Sequence, residues 1–152
     1  MTTQPIATNQ VLSVQVLHAL MRTCDFFMKV AVHLSAAVYE WTESTSIRHY
    51  PFLKRAKSNR QSILKEKTGI RWDFVDSAGN SGTSTTGPIC RRILHNPDVR
   101  KLVTDEIPVA HRSTMEVLGQ RLSIILRVMA SKEVVHVEEF NIFCIETNIF
   151  LL

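Results

Sequence analysis

This 152-residue sequence predicts a mainly α fold, a helical bundle of about five or six helices with one long polar loop. Three observations predict it. Leu17, Leu20, Cys24, Phe27, Ala31, Leu34, Val38 and Trp41 recur at alternating steps of three and four, the mark of a single helical stripe. Two shorter stripes follow, one through Met115, Leu118, Leu122, Ile125 and Met129 and one through Val137, Phe140, Cys144, Thr147 and Leu151. Pro88, Pro97 and Pro108 each stand where a helix would begin. The length suits a single domain over residues 1–152 that buries ~65–70% of the unfolded surface. With 45% hydrophobic and 21% charged residues, the composition is globular rather than disordered.

The first stripe predicts a helix from about Gln10 to Trp41 and a surface that covers its length, with packing in the core as the first reading. A coiled-coil partner on the same stripe is the second, giving a homo-oligomer or a partner helix. After Glu43 to Ser46 the chain turns, and a basic helix is predicted over Phe52 to Lys67. Its spacing aligns Leu53, Ala56, Arg60, Ile63 and Lys67, a narrow apolar face that places it on the outside. Thr68-Gly69 stops it, and Ile70 to Phe74 reads as extended. Between Asp76 and Gly87 lie three glycines and six serines or threonines, a surface loop.

Thr86-Gly87-Pro88 then caps a short helix ending near His95, and Asn96-Pro97-Asp98 repeats the device for a second one to about Asp105. Pro108 opens the next long helix, although the capping-box spacing of Ser113 and Glu116 would start it one turn later. Ser131 to His136 is a connection, with a short strand over Glu133 to Val137. The last stripe ends without glycine, basic turn or polar tail, which reads as truncation of a longer protein. A terminal helix docked on its own core is the other reading.

Several function classes find no support. Cys24, Cys90 and Cys144 form neither a CxxC pair nor an even framework, so reduced thiols are expected. The six histidines include no HxxxH or HExxH spacing, and no metal or cofactor is expected. The apolar run from Val134 to Leu152 is interrupted by His136, Glu138, Glu139, Asn141 and Glu146, too polar for a membrane span. No secretory signal opens the chain, so an intracellular location is expected, the nucleus included.

Charge is distributed unevenly. Arg48 to Arg71 holds eight basic residues against the single acid Glu66, so the formal +4 conceals a basic segment on a mildly acidic body. A polyanionic partner is one reading and a solvated helix face the other. Gly82 to Leu94 runs a glycine-punctuated loop into a helix carrying Arg91 and Arg92, an arrangement suited to phosphate. A nucleotide cradle is not expected, because Pro88 stands where a P-loop needs lysine.

From Val16 to Phe150 a series of anchors appears in order: Leu17-His18, Asp25-Phe26-Phe27, Leu64 to Ile70, Gly82 to Leu94, Glu106-Ile107-Pro108 and Val137 to Phe140. In this order the chain resembles the helical insertion of the RNase H-like catalytic region in V(D)J recombinase and Transib-type transposases. The resemblance implies metal-dependent DNA chemistry in the family, but here Leu20 occupies the position of the second catalytic aspartate. The final glutamate and the zinc-binding histidines would fall beyond Leu152, and the paired cysteines of that zinc site are missing between Met129 and Val137. What the resemblance leaves is a catalytically incomplete, transposase-derived DNA-binding fragment and not an enzyme. Its expected phosphate contacts are Arg91, Arg92, Thr85, Thr86 and Gly87, joined by Lys54, Arg55, Lys57 and Arg60 of the basic helix. The alternative is a helical protein–protein interaction module without nucleic-acid binding.

Overall fold

A computed structural model describes residues 6–42, 49–72, 86–131 and 133–149, with side chains from residue 15 to 36, 52 to 72 and throughout the last two segments. The described residues form six helices and no strand: α1 (Ile6–Thr42), α2 (His49–Thr68), α3 (Gly87–His95), α4 (Pro97–Thr104), α5 (Val109–Ala130) and α6 (Val137–Ile149). The bundle expected from the stripes is present. Residues 133–136, read as the start of a strand, are irregular, and Val137 already belongs to α6. The polar loop lies outside the described residues except for Thr86 and Gly87, as do Phe74 and Leu151.

α1, about 55 Å long at 1.5 Å per residue, is the axis of the bundle and packs against α2, α3, α4 and α5. Among the described residues α2 and α5 are not neighbours, and α6 packs beside α5 and no other helix. Of the predicted stripe, Leu20, Cys24, Phe27 and Ala31 are buried, Leu34 is half-buried, and Leu17 is largely exposed. Val38 and Trp41 have side chains outside the described residues. A second row, Met28, Val32, Ser35 and Ala36, is buried beside the first, because several helices surround α1 rather than one. For the middle of the stripe the core-packing reading holds. Between Leu20 and Ala31 the stripe is already covered by the chain's own helices, and a second copy there would have to displace the core.

Local sequence explains the joints. Gly69 has φ +70° and its N–H donates to the Lys65 carbonyl at 3.0 Å, the left-handed stop that glycine adopts without steric cost. Asn96 Oδ1 accepts the Asp98 N–H at 3.0 Å and so caps α4, with Pro97 in its first turn. α5 starts directly after Pro108. Glu116 is not drawn into a capping box, since its carboxylate accepts a 2.6 Å bond from the buried Thr104 hydroxyl.

Arginines close the ends of several helices. Arg92 Nη2 donates to Thr68 O at 2.8 Å, Arg127 Nη2 to His95 O at 3.2 Å and Arg60 Nη2 to Val103 O at 3.1 Å. Arg100 donates to Leu94 O, and Arg112 Nε to Ile107 O at 2.9 Å just beyond α4. The last carbonyls of a helix lack intrahelical donors and lie at the negative end of its dipole, so a guanidinium satisfies both demands at once.

Candidate nucleic-acid interface

α3 is short and amphipathic. Gly87, Cys90, Ile93 and Leu94 face inward, while Arg91 and Arg92 face solvent. Gly87 is buried because α1 approaches closely: a Cβ there would lie 2.6 Å from Leu17 Cδ1. Thr86 is exposed and extended as the N-cap, but its side chain makes no capping bond; its carbonyl accepts the Cys90 N–H at 3.0 Å. The helix start expected to cradle an anion is thus turned partly toward α1, and Thr85 lies outside the described residues. The two arginines keep their outward orientation.

The bond from Arg92 to Thr68 fixes where α3 meets the rest of the basic sequence. Thr68 Oγ1 accepts the Ile70 N–H at 3.2 Å, and Gln61 Nε2 donates to Trp72 O at 2.8 Å, so the chain leaving α2 is held against it. Ile70 and Trp72 are buried, which turns Arg71 outward between them. Lys65, Lys67 and Arg71 are exposed cations at and just beyond the end of α2, with Glu66 the exposed acid among them, and Arg91 and Arg92 are exposed on α3, from which Arg92 reaches the Thr68 carbonyl. Lys65, Lys67 and Arg71 were not singled out from the sequence. Their signal is present in the charge count, and the Arg92–Thr68 bond ties the end of their helix to α3.

The other half of the expected site divides. Lys54 and Arg55 are exposed near the start of α2 and Lys57 is half-buried. Arg60 is not a surface contact: it is 1% exposed, and its Nη2 donates to Ser35 Oγ at 2.8 Å as well as to Val103 O. Its place one turn from Ala56 and one from Leu64 puts it on the buried face of α2. Nε and Nη1 have no hydrogen-bond partner, and burial lowers the guanidinium to about 10, with Glu106 opposing the shift.

On the far side of α3, His95 Nδ1 lies 2.6 Å from the buried Ser123 hydroxyl. Its pKa is lowered from 6.5, first by burial and then by the charges of Arg127, Arg100 and Arg91. The neutral imidazole is favoured at neutral pH, so His95 adds no positive charge there. Leu20, at the position where the resemblance would place a catalytic aspartate, is 4% exposed and belongs to the core. Asp25 pairs with Lys29 one turn later at 2.9 Å. No group of three or more His, Cys, Asp or Glu side chains converges among the described residues, and no described helix is long and apolar enough to cross a membrane. Comparison with protein-family models, with curated proteins and with solved structures finds no match to this chain.

Proposed function

We propose that this chain is a catalytically inert helical domain that binds nucleic acid through its phosphate backbone, using exposed cations at the end of α2 and on α3. The observation that supports the reading is the Arg92–Thr68 bond, which ties the end of α2, where Lys65, Lys67 and Arg71 are exposed, to the helix that carries Arg91. Backbone phosphates are regularly spaced anions, and a rigid set of cations binds them by releasing condensed counterions without reading sequence. Arginine forks suit phosphate oxygens, and lysines add point charge. The ordered anchors from Leu17-His18 to Val137-Phe140 are the ground for deriving the domain from a recombinase-like transposase insertion, and Leu20 is the ground for assigning it no metal chemistry.

The test is anisotropy of a labelled DNA duplex over a salt series. Five neutralised phosphates give a log–log slope near −4.5, from about 0.9 per phosphate. Lys65→Gln, Lys67→Gln and Arg71→Gln together should flatten it by about 2.7 on the same arithmetic. Binding that ignores salt, or that survives the triple substitution with its slope intact, ends this reading.

A second reading, an interaction module, is favoured by one observation: α6 leaves Ile142, Ile145 and Ile149 exposed.

A further inference from the structure

α6 rests on α5 with Phe140, Phe143 and Cys144 half-buried around the buried Thr147, and polar contacts from Arg121 fix it there. Arg121 of α5 donates from Nε to Thr147 Oγ1 at 2.9 Å and from Nη2 to Phe143 O at 3.2 Å and Glu146 Oε2 at 2.9 Å. Its guanidinium also lies 4.0 Å from the centre of the Phe143 ring. Thr147 is the buried residue of the helix, while Ile142, Ile145 and Ile149 are 55%, 56% and 65% exposed. These isoleucines follow a spacing of three and four, so they form a continuous stripe opposite the side held by Arg121.

The charged residues of α6 itself have one sign. Glu138 stands on the stripe itself one turn before Ile142, and Glu139 and Glu146 line one flank. Asn141 and Asn148 line the other, and α6 carries no lysine or arginine. Glu146 is answered by Arg121, whereas Glu138 and Glu139 are exposed and have no ion-pair partner among the described residues. Their place in the first turn suits the helix dipole; it also fixes the charge that any occupant meets. A second copy fits poorly. Parallel pairing would bring Glu138 and Glu139 onto their equivalents, and antiparallel pairing would set the Glu139–Glu146 flank against itself.

We infer that the outward face of α6 docks a basic amphipathic helix of another protein, whose apolar side covers Ile142, Ile145 and Ile149 and whose lysines or arginines meet Glu138 and Glu139. This assignment rests on the interaction-module reading, is independent of nucleic-acid binding, and uses a surface that the bundle leaves open. Helix-in-groove recognition of this kind relies on anchors spaced at i, i+3 and i+7.

The experiment titrates the full chain with three labelled helical peptides. They share a leucine stripe at that spacing and carry lysine, serine or glutamate on the flanks. The lysine peptide should bind at least tenfold more tightly than the glutamate peptide. Ile142→Ser with Ile145→Ser should weaken it a further tenfold or more, with circular dichroism and duplex affinity unchanged because both side chains are exposed. Glu138→Lys with Glu139→Lys should invert the peptide preference. Equal affinity for all three peptides would overturn the charge assignment and leave the interaction module standing. No binding to any of them would overturn both. Sedimentation showing self-association abolished by the double serine variant would assign the face to a second copy and also overturn the inference.

Discussion

Replacing Gly119 with alanine asks whether packing or helix propensity governs the centre of α5. In an exposed helix the exchange would stabilise by about 1 kcal/mol. Here a Cβ at Gly119 would lie 2.9 Å from Arg100 Cδ and 3.0 and 3.1 Å from Phe27 Cε2 and Cζ, against an ordinary carbon–carbon contact of about 3.5–4.0 Å. Phe27 is fully buried, and Arg100 is held by its bond to Leu94, so neither side chain can swing aside. Overpacking of this kind costs about 1–3 kcal/mol, which outweighs the propensity gain and leaves a net loss of roughly 1 kcal/mol. For a domain of this size the melting temperature should fall by about 2–4 °C. Thermal unfolding followed by circular dichroism measures it, and Phe27→Leu should relieve part of the penalty in a double-mutant cycle. A rise in melting temperature for Gly119→Ala would refute the reasoning, because propensity alone gives that sign. Gly69→Ala is the contrasting case. Nothing lies within 4 Å of its Cβ, so its expected loss of about 1 kcal/mol is purely torsional.

Substitutions at four further positions separate structural charge from surface charge. Arg91→Gln should reduce the salt slope by about 0.9 without moving the urea midpoint, whereas Arg92→Gln should lower that midpoint too, because Thr68 loses its donor; identical behaviour of the two would be inconsistent with the joint. Arg60→Ala should destabilise by about 2–4 kcal/mol from the lost bonds and the cavity. Arg60→Met should recover much of that by filling the space without burying unpartnered N–H groups, and urea unfolding that finds Met as damaging as Ala would contradict the burial argument. At His95 the folded pKa is depressed, so the unfolded chain binds the extra proton between that value and 6.5. Stability should therefore rise with pH through that window and level off above it. Melting temperatures of the wild type and His95→Gln from about pH 5 to about pH 8 should differ in slope only in that window, and parallel curves would count against it.

What the sequence disclosed was local chemistry. Thr86, Asn96, Gly69, Pro88, Pro97 and Pro108 mark helix ends through their own backbone preferences, and each marks an end in the fold. The helix numbers and order followed from spacing. Who covers which face did not, because that is settled by residues far away in the chain. Arg60 shared a stripe with Ala56, which was the available signal for its burial, but counting it with Lys54 and Arg55 as one basic run obscured it. Glu133 to Val137 has the β-branched content of a strand, yet Val137 begins α6, where the His136 carbonyl accepts the Phe140 N–H at 3.0 Å. Of the expected contacts, Arg91, Arg92, Lys54 and Arg55 face solvent, but the link between α3 and the end of α2 is a side chain reaching a carbonyl 24 residues away. Sequence spacing carries no trace of such a bond.

The guanidinium plugs at the helix ends make two equally charged residues unequal. A lysine exchanged for Arg60, Arg92, Arg100 or Arg127 would leave the isoelectric balance almost untouched, yet an ammonium on a flexible stem cannot reproduce a planar fork aimed at a carbonyl. At neutral pH such a variant would carry the same net charge as its parent, while its helices would fray at their exits. In this chain the architecture depends on which cation stands at a position, a quantity to which every measure of total charge is blind.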